Sequence, residues 1–109
     1  MTTRTILGAA LLALAAAAQA QGEVKGDVER AKDKISLCIG CHGIPDYRTA
    51  YPEVYRVPMI AGQTPAYIVK ALAAYKAGER THPSMRAIAR SLSDQDMADI
   101  AVYYGTAAK

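Results

Sequence analysis

Phenylalanine and tryptophan are missing from this 109-residue chain, and its aromatic side chains are seven tyrosines. Aliphatic residues and tyrosine alone must therefore build any interior, which leaves a thin core for a small domain. Cysteine occurs twice, at Cys38 and Cys41, which excludes a disulfide-dense framework. Charge of one sign is also scarce, with 13 Lys and Arg against 10 Asp and Glu for a formal +3. The basic residues form no dense run, so nucleic acid is not an expected partner. Long apolar runs are limited to residues 6–18, about 13 residues where roughly 20 are needed to span a bilayer.

That run has another reading. Arg4 precedes it as a short positive region, and Ala18-Gln19-Ala20 follows it with the small-x-small pattern of a cleaved secretory signal. Residues 1–20 are thus expected to be removed, leaving 21–109 as one domain that works in the periplasm with no membrane span. Loss of Arg4 leaves 12 basic residues against 10 acidic, or +2.

Residues 21–26 look like a loose leader, and the rest reads as helices joined by loops. Asp27 caps a helix whose apolar positions Val28, Ala31 and Ile35 share one face and lead straight into Cys38. Residues 43–62 hold Pro45, Pro52 and Pro58 and predict a long loop pinned to something. Thr64 with Pro65 predicts a helix start, Ile68, Ala71, Leu72 and Tyr75 its buried face, and Gly78 its stop. Residues 79–84 predict a second loop, after which Met85 opens the next segment. Ser93 with Asp96 forms a capping box, and Met97, Ile100, Ala101 and Tyr104 give the last helix its buried stripe. No segment alternates with period two, so the fold class is all-α.

The chemistry sits in Cys38-Ile39-Gly40-Cys41-His42, the spacing that attaches haem covalently. Positions i, i+3 and i+4 lie on one side of a helical turn, so both thiols and the imidazole address one flat ligand. Cys38 and Cys41 would form thioethers with haem vinyl groups, and His42 would bind the iron as proximal ligand. Three other readings compete. A thioredoxin-like redox pair lacks its βαβ scaffold. A zinc site would need a fourth ligand such as His82 at unusual spacing. A disulfide between residues this close would constrain little chain. One covalently held haem c is therefore expected, and it would supply the missing interior.

A haem iron that carries electrons usually keeps a sixth ligand as well, and the candidates after the motif are Met59, His82, Met85 and Met97. Met97 lies on a buried stripe, where methionine is ordinarily filler. His82 sits in a polar loop beside Pro83, and Met59 follows Pro58 in an apolar patch that could pack on the haem. Met85 stands where the loop turns back toward the opposite haem face, and it is the preferred choice.

Taken in order, these pieces resemble the class I cytochromes c, in particular the single-haem halves of bacterial dihaem cytochromes of the c-four type. The resemblance covers nearly all of residues 21–109. Beyond Cys38 to Gly43 it rests on Pro58-Met59-Ile60-Ala61-Gly62-Gln63, on Tyr75, Gly78, Arg80 and Met85, and on Leu92-Ser93-Asp94-Gln95-Asp96-Met97-Ala98-Asp99-Ile100-Ala101 with Tyr103 and Tyr104. It implies a small fold of about four to five helices around one haem, with Met85 as axial methionine. It also implies that the Pro58 carbonyl accepts a hydrogen bond from the proximal histidine. The chain departs from the dihaem members in having a single attachment motif.

The expected function is one-electron transport between redox partner proteins, a dehydrogenase or cytochrome as donor and an oxidase or reductase as acceptor. No enzymatic activity is expected. Two haem propionates would nearly cancel the +2, so partner choice would rest on local patches such as a basic rim of Lys70, Lys76, Arg80, Arg86 and Arg90. Two alternatives use the same motif: a haem subunit held by a periplasmic dehydrogenase, and a sensor or peroxidase-like protein with an open sixth site.

Overall fold

A computed structural model of the chain describes residues 24–51 and 54–106; the expected signal segment, residues 1–20, lies outside them. Five helices and one small strand pair follow in the order α1 (Val28–Ala31), α2 (Ser36–His42), β1 (Arg48–Thr49), β2 (Tyr55–Arg56), α3 (Pro65–Ala77), α4 (Pro83–Arg90) and α5 (Asp94–Thr106). The long helices α3 and α5 pack on each other, α4 packs on α3, and α1 packs on α5. This all-α packing of five helices agrees with the small fold of four to five helices expected from the resemblance. Its interior is one cluster of Cys38, Ile68, Leu72, Leu92, Met97, Ile100, Ala101 and Tyr104, with Ile35, Ile60, Val69, Met85 and Tyr103 packed against it.

Helix α3 begins and ends where the sequence puts it. Pro65 stands at its first turn, and Gly78 terminates it at φ 86°, donating to the carbonyls of Ala74 and Tyr75. That left-handed φ is one glycine adopts without steric cost. Thr64 occupies the cap position, but its hydroxyl makes no capping bond; its N–H instead donates to Gln63 Oε1 at 2.9 Å. The box opening α5 is reciprocal, with Asp96 N donating to Ser93 Oγ at 3.0 Å and Ser93 N to Asp96 Oδ2 at 2.9 Å.

Four features differ from the sequence reading. The helix expected to run unbroken from Asp27 into Cys38 is interrupted after Ala31, where Lys34 N donates to Ala31 O (2.8 Å) and Cys38 N to Ile35 O (2.9 Å). These three-residue steps tighten the coil over Lys32, Asp33 and Lys34, which supply no apolar face, and Lys34 reaches Asp96 at 3.4 Å. Gly26 is no part of a loose leader, since a Cβ there would lie 2.2 Å from Ala98 O; the bare backbone packs directly on α5. The loop after the motif carries an antiparallel pair, Arg48 opposite Arg56 and Thr49 opposite Tyr55, too short to show alternation. Finally, α4 starts at Pro83 with His82 at the cap position, so Met85 lies in its first turn.

Asp99 fastens α1 to α5. It is buried and receives Arg30 Nε at 3.0 Å, Arg30 Nη2 at 2.9 Å, Gln95 Nε2 at 2.8 Å and Asp27 N at 2.7 Å. Hydrogen bonding by Arg30, then by Gln95 and the Asp27 amide, holds its carboxyl below the usual carboxylate range. A depressed native pKa contributes stability that is fully present above the unfolded value, about 3.9, and lost as pH falls through the native one. Asp99→Ala is expected to cost about 2 kcal/mol at neutral pH, because the Asp27 amide and the Gln95 amide lose their acceptor. It should also flatten the acid limb of the stability profile below about pH 4. Chemical denaturation of the haem-loaded protein across pH checks both outcomes.

Candidate haem site

Helix α2 carries Cys38, Cys41 and His42 on a single turn and a half, so the motif's geometry is set by backbone hydrogen bonding alone. Cys38 is buried in the main cluster, Cys41 and His42 are half-buried, and neither thiol is in a disulfide. Burial pushes the Cys38 thiol up to about 11. Among the described residues no three His, Cys, Asp or Glu side chains gather as a metal site.

The His42 ring is tied across the chain. Its Nδ1 lies 2.6 Å from Pro58 O, and because a carbonyl can only accept, Nδ1 carries the proton and donates it. Nε2 is then left with the lone pair that a metal requires. Pro58 is well suited to this contact because its fixed φ stiffens the carbonyl's direction.

Met85 is half-buried and packs against the cluster that contains Cys38. Met97 belongs to that cluster as buried filler, while Met59 is 51% exposed. His82 ends the loop as the cap residue before α4. It is half-buried at the start of α4, its ring meets Tyr55 edge-on at 5.2 Å, and its Nδ1 is buried without a hydrogen-bond partner. Tyr104 was legible only as part of a stripe. Its hydroxyl is buried without a partner, and its pKa rises to about 12 through desolvation and then the nearby Cys38. The signal was there in principle, since tyrosine stands where phenylalanine would fill the same space.

The residues present fit a haem. Among the described residues the exposed large apolar side chains are Val24 and Tyr67 elsewhere and, on the motif helix or the loop after it, Leu37, Ile39, Ile44, Tyr51, Val54, Tyr55 and Met59. Exposed apolar side chains gathered along one stretch of chain are what a binding site leaves bare, and a flat macrocycle anchored at α2 would cover part of them. Of the basic rim, Lys70, Lys76, Arg80 and Arg90 are exposed and Arg86 is half-buried.

No protein-family model matches the chain. Curated relatives do. It is 37% identical over 84 residues to cytochrome c-554(548) of Halomonas halodenitrificans, covering 74% of this chain and 96% of that one. It is 37% identical over 81 residues to cytochrome c4 of Pseudomonas aeruginosa, covering 74% of this chain but 38% of that one. It is 33% identical over 91 residues to the cytochrome subunit of sulfide dehydrogenase of Chlorobaculum tepidum, covering 83% of this chain and 78% of that one. The chain thus spans under half of the cytochrome c4 and nearly all of the cytochrome c-554(548). No helix among the described residues is long and apolar enough to cross a membrane. With 37% identity over 96% of the cytochrome c-554(548) and both thiols and the imidazole on one helical turn, the chain belongs to the c-type cytochromes, electron-transport proteins that carry covalently attached haem c.

Proposed function

We propose that the chain is a periplasmic one-electron carrier whose single haem is joined by thioethers to Cys38 and Cys41 and whose iron is bound by His42 and Met85. The haem supplies an iron that changes oxidation state by one electron. The protein's residues do the rest. Pro58 O holds the His42 ring in the tautomer that leaves Nε2 free, and a ligand fixed by an outer partner keeps one geometry in both oxidation states. The Met85 thioether is soft and favours the ferrous ion, raising the potential. Ile68, Leu72, Ile100 and Tyr104, buried in one cluster with Cys38, would keep water away from the bound group. Residues 1–20 would act as the export signal and residues 21–109 as the working domain.

The observation that supports this reading most is the 2.6 Å contact from His42 Nδ1 to Pro58 O, made by the imidazole that ends the thiol-bearing turn. A second reading draws on the 33% identity to a sulfide dehydrogenase cytochrome subunit: the same domain would serve as the haem subunit of a dehydrogenase. Redox partner proteins are required in either case, and neither needs catalysis by this chain.

The test is to express the full chain in a cell able to mature c-type cytochromes, then record a pyridine haemochrome spectrum and an intact mass. One haem per chain, no free thiol and loss of residues 1–20 are expected. A colourless secreted chain with two free thiols overturns the proposal. Size-exclusion chromatography from the native host separates the free carrier from the bound subunit.

A further inference from the structure

We propose that the end of the domain built from the last turn of α3 and from α4 is the docking face for an acidic redox protein, with Lys76, Arg80 and Arg90 as its exposed cations. The inference rests on the carrier reading and adds the partner's chemistry.

Charge is segregated along the chain. Residues 70–90 hold Lys70, Lys76, Arg80, Arg86 and Arg90 against Glu79, a net +4, whereas the rest of residues 21–109 has seven basic against nine acidic, a net −2. The ion pairs sharpen the contrast. Elsewhere Arg30 pairs with Asp99 (2.9 Å), Lys32 with Glu29 (2.8 Å), Lys34 with Asp96 (3.4 Å) and Arg56 with Asp46 (2.5 Å). Among the described residues, none of the five cations in 70–90 has a carboxylate partner. Their field therefore reaches solvent uncompensated, which is the arrangement that steers an oppositely charged partner.

Contacts tie three of the cations to the end of α3 and to α4. The Arg86 guanidinium lies against Gly78, where a Cβ would sit 3.2 Å from its Nη2, so α4 is drawn onto the end of α3. Lys76 Nζ donates to Leu92 O at 2.5 Å, which brings it to the end of α4 beyond Arg90. The Arg80 guanidinium lies 4.6 Å over the Tyr75 ring, a pairing of the residue types that dominate protein interfaces. Met85 sits in the first turn of the same helix with its side chain turned to the core, so a partner seated here stands behind the proposed iron ligand. An anionic membrane fits less well, since lipid surfaces call for an unbroken cluster of roughly four to eight cations, and Glu79 divides this one.

The test follows oxidation of the reduced, haem-loaded protein by ferricyanide, an anion, and by tris(phenanthroline)cobalt(III), a cation, in stopped flow. One electron leaves the protein in each turnover, giving the oxidised protein and either ferrocyanide or the cobalt(II) complex. The R80E/R90E variant is expected to slow the ferricyanide reaction roughly tenfold at low salt and to speed the cobalt reaction. The ferricyanide difference should close as the Debye length shrinks toward about 3 Å at 1 M salt. K25E/K32E changes net charge equally and should leave the ferricyanide rate within about twofold. R80Q/R90Q should slow it in the same direction by less. Equal slowing by both charge-reversed variants, or by neither, overturns the docking face while leaving the carrier reading intact. Binding of the wild type to phosphatidylcholine–phosphatidylglycerol vesicles that is lost in R80E/R90E also overturns it, in favour of a membrane. A protein oxidised by neither reagent overturns the carrier reading itself.

Discussion

Replacing both motif cysteines, as C38A/C41A, is expected to give a chain that leaves no haem stain after denaturing electrophoresis and shows no cooperative unfolding. Two losses combine. The thioethers are the proposed covalent attachment, and without them haem can only partition onto a half-formed site. The interior is also short of material, because no Phe or Trp is available and the described core is a single cluster of mostly aliphatic side chains. Domains of this size retain at most a few kcal/mol beyond their conformational entropy. Losing a group that would cover part of the exposed apolar surface around α2 is expected to remove more than about 5 kcal/mol, the low end of native stability. Either cysteine changed alone should keep one thioether and an intermediate denaturant midpoint. Haem retained through denaturing electrophoresis by the double variant would refute this role for the pair.

Met85→Ala should abolish the far-red iron-to-methionine band of the oxidised protein. It should also lower the potential by on the order of a few tenths of a volt, within the roughly 0.8 V that axial ligands span. The comparison that isolates the ligand is with the other methionines. Met59→Ala, at an exposed position, should leave both band and potential in place. Met97→Ala should cost about 2–4 kcal/mol of stability by opening a cavity between α3 and α5, yet keep the band. A band that survives in Met85→Ala would move the sixth ligand elsewhere, with His82 the next residue to change.

Much of this was legible in the sequence wherever the physics is local. The motif's three reactive side chains act across one turn, so their spacing alone announces their convergence. Pro65 and Gly78 bracket α3 because proline favours a first turn and glycine a left-handed end. Ser93 and Asp96 close their box within three residues. The misses came from contacts between distant residues. Gly26 reads as leader until Ala98 is seen against it, and the break after Ala31 follows from Lys34 reaching an aspartate on the last helix. His82 reads only as a loop residue because its cap position depends on where α4 starts, and Pro83 begins that helix two residues before Met85. The Asp99 clasp could not be read at all, since nothing local marks an aspartate on an apolar stripe as the acceptor for an arginine 69 positions away.

That clasp orders events in time. Asp27 and Asp99 are separated by 72 positions, so the ring they close cannot form until the C-terminal helix has emerged. Most of the side chains clustered with Cys38 also belong to α3 and α5, elements made after it. In a chain emerging N-terminus first, Cys38 is therefore open to solvent until α3 and α5 are made and is covered only when they dock.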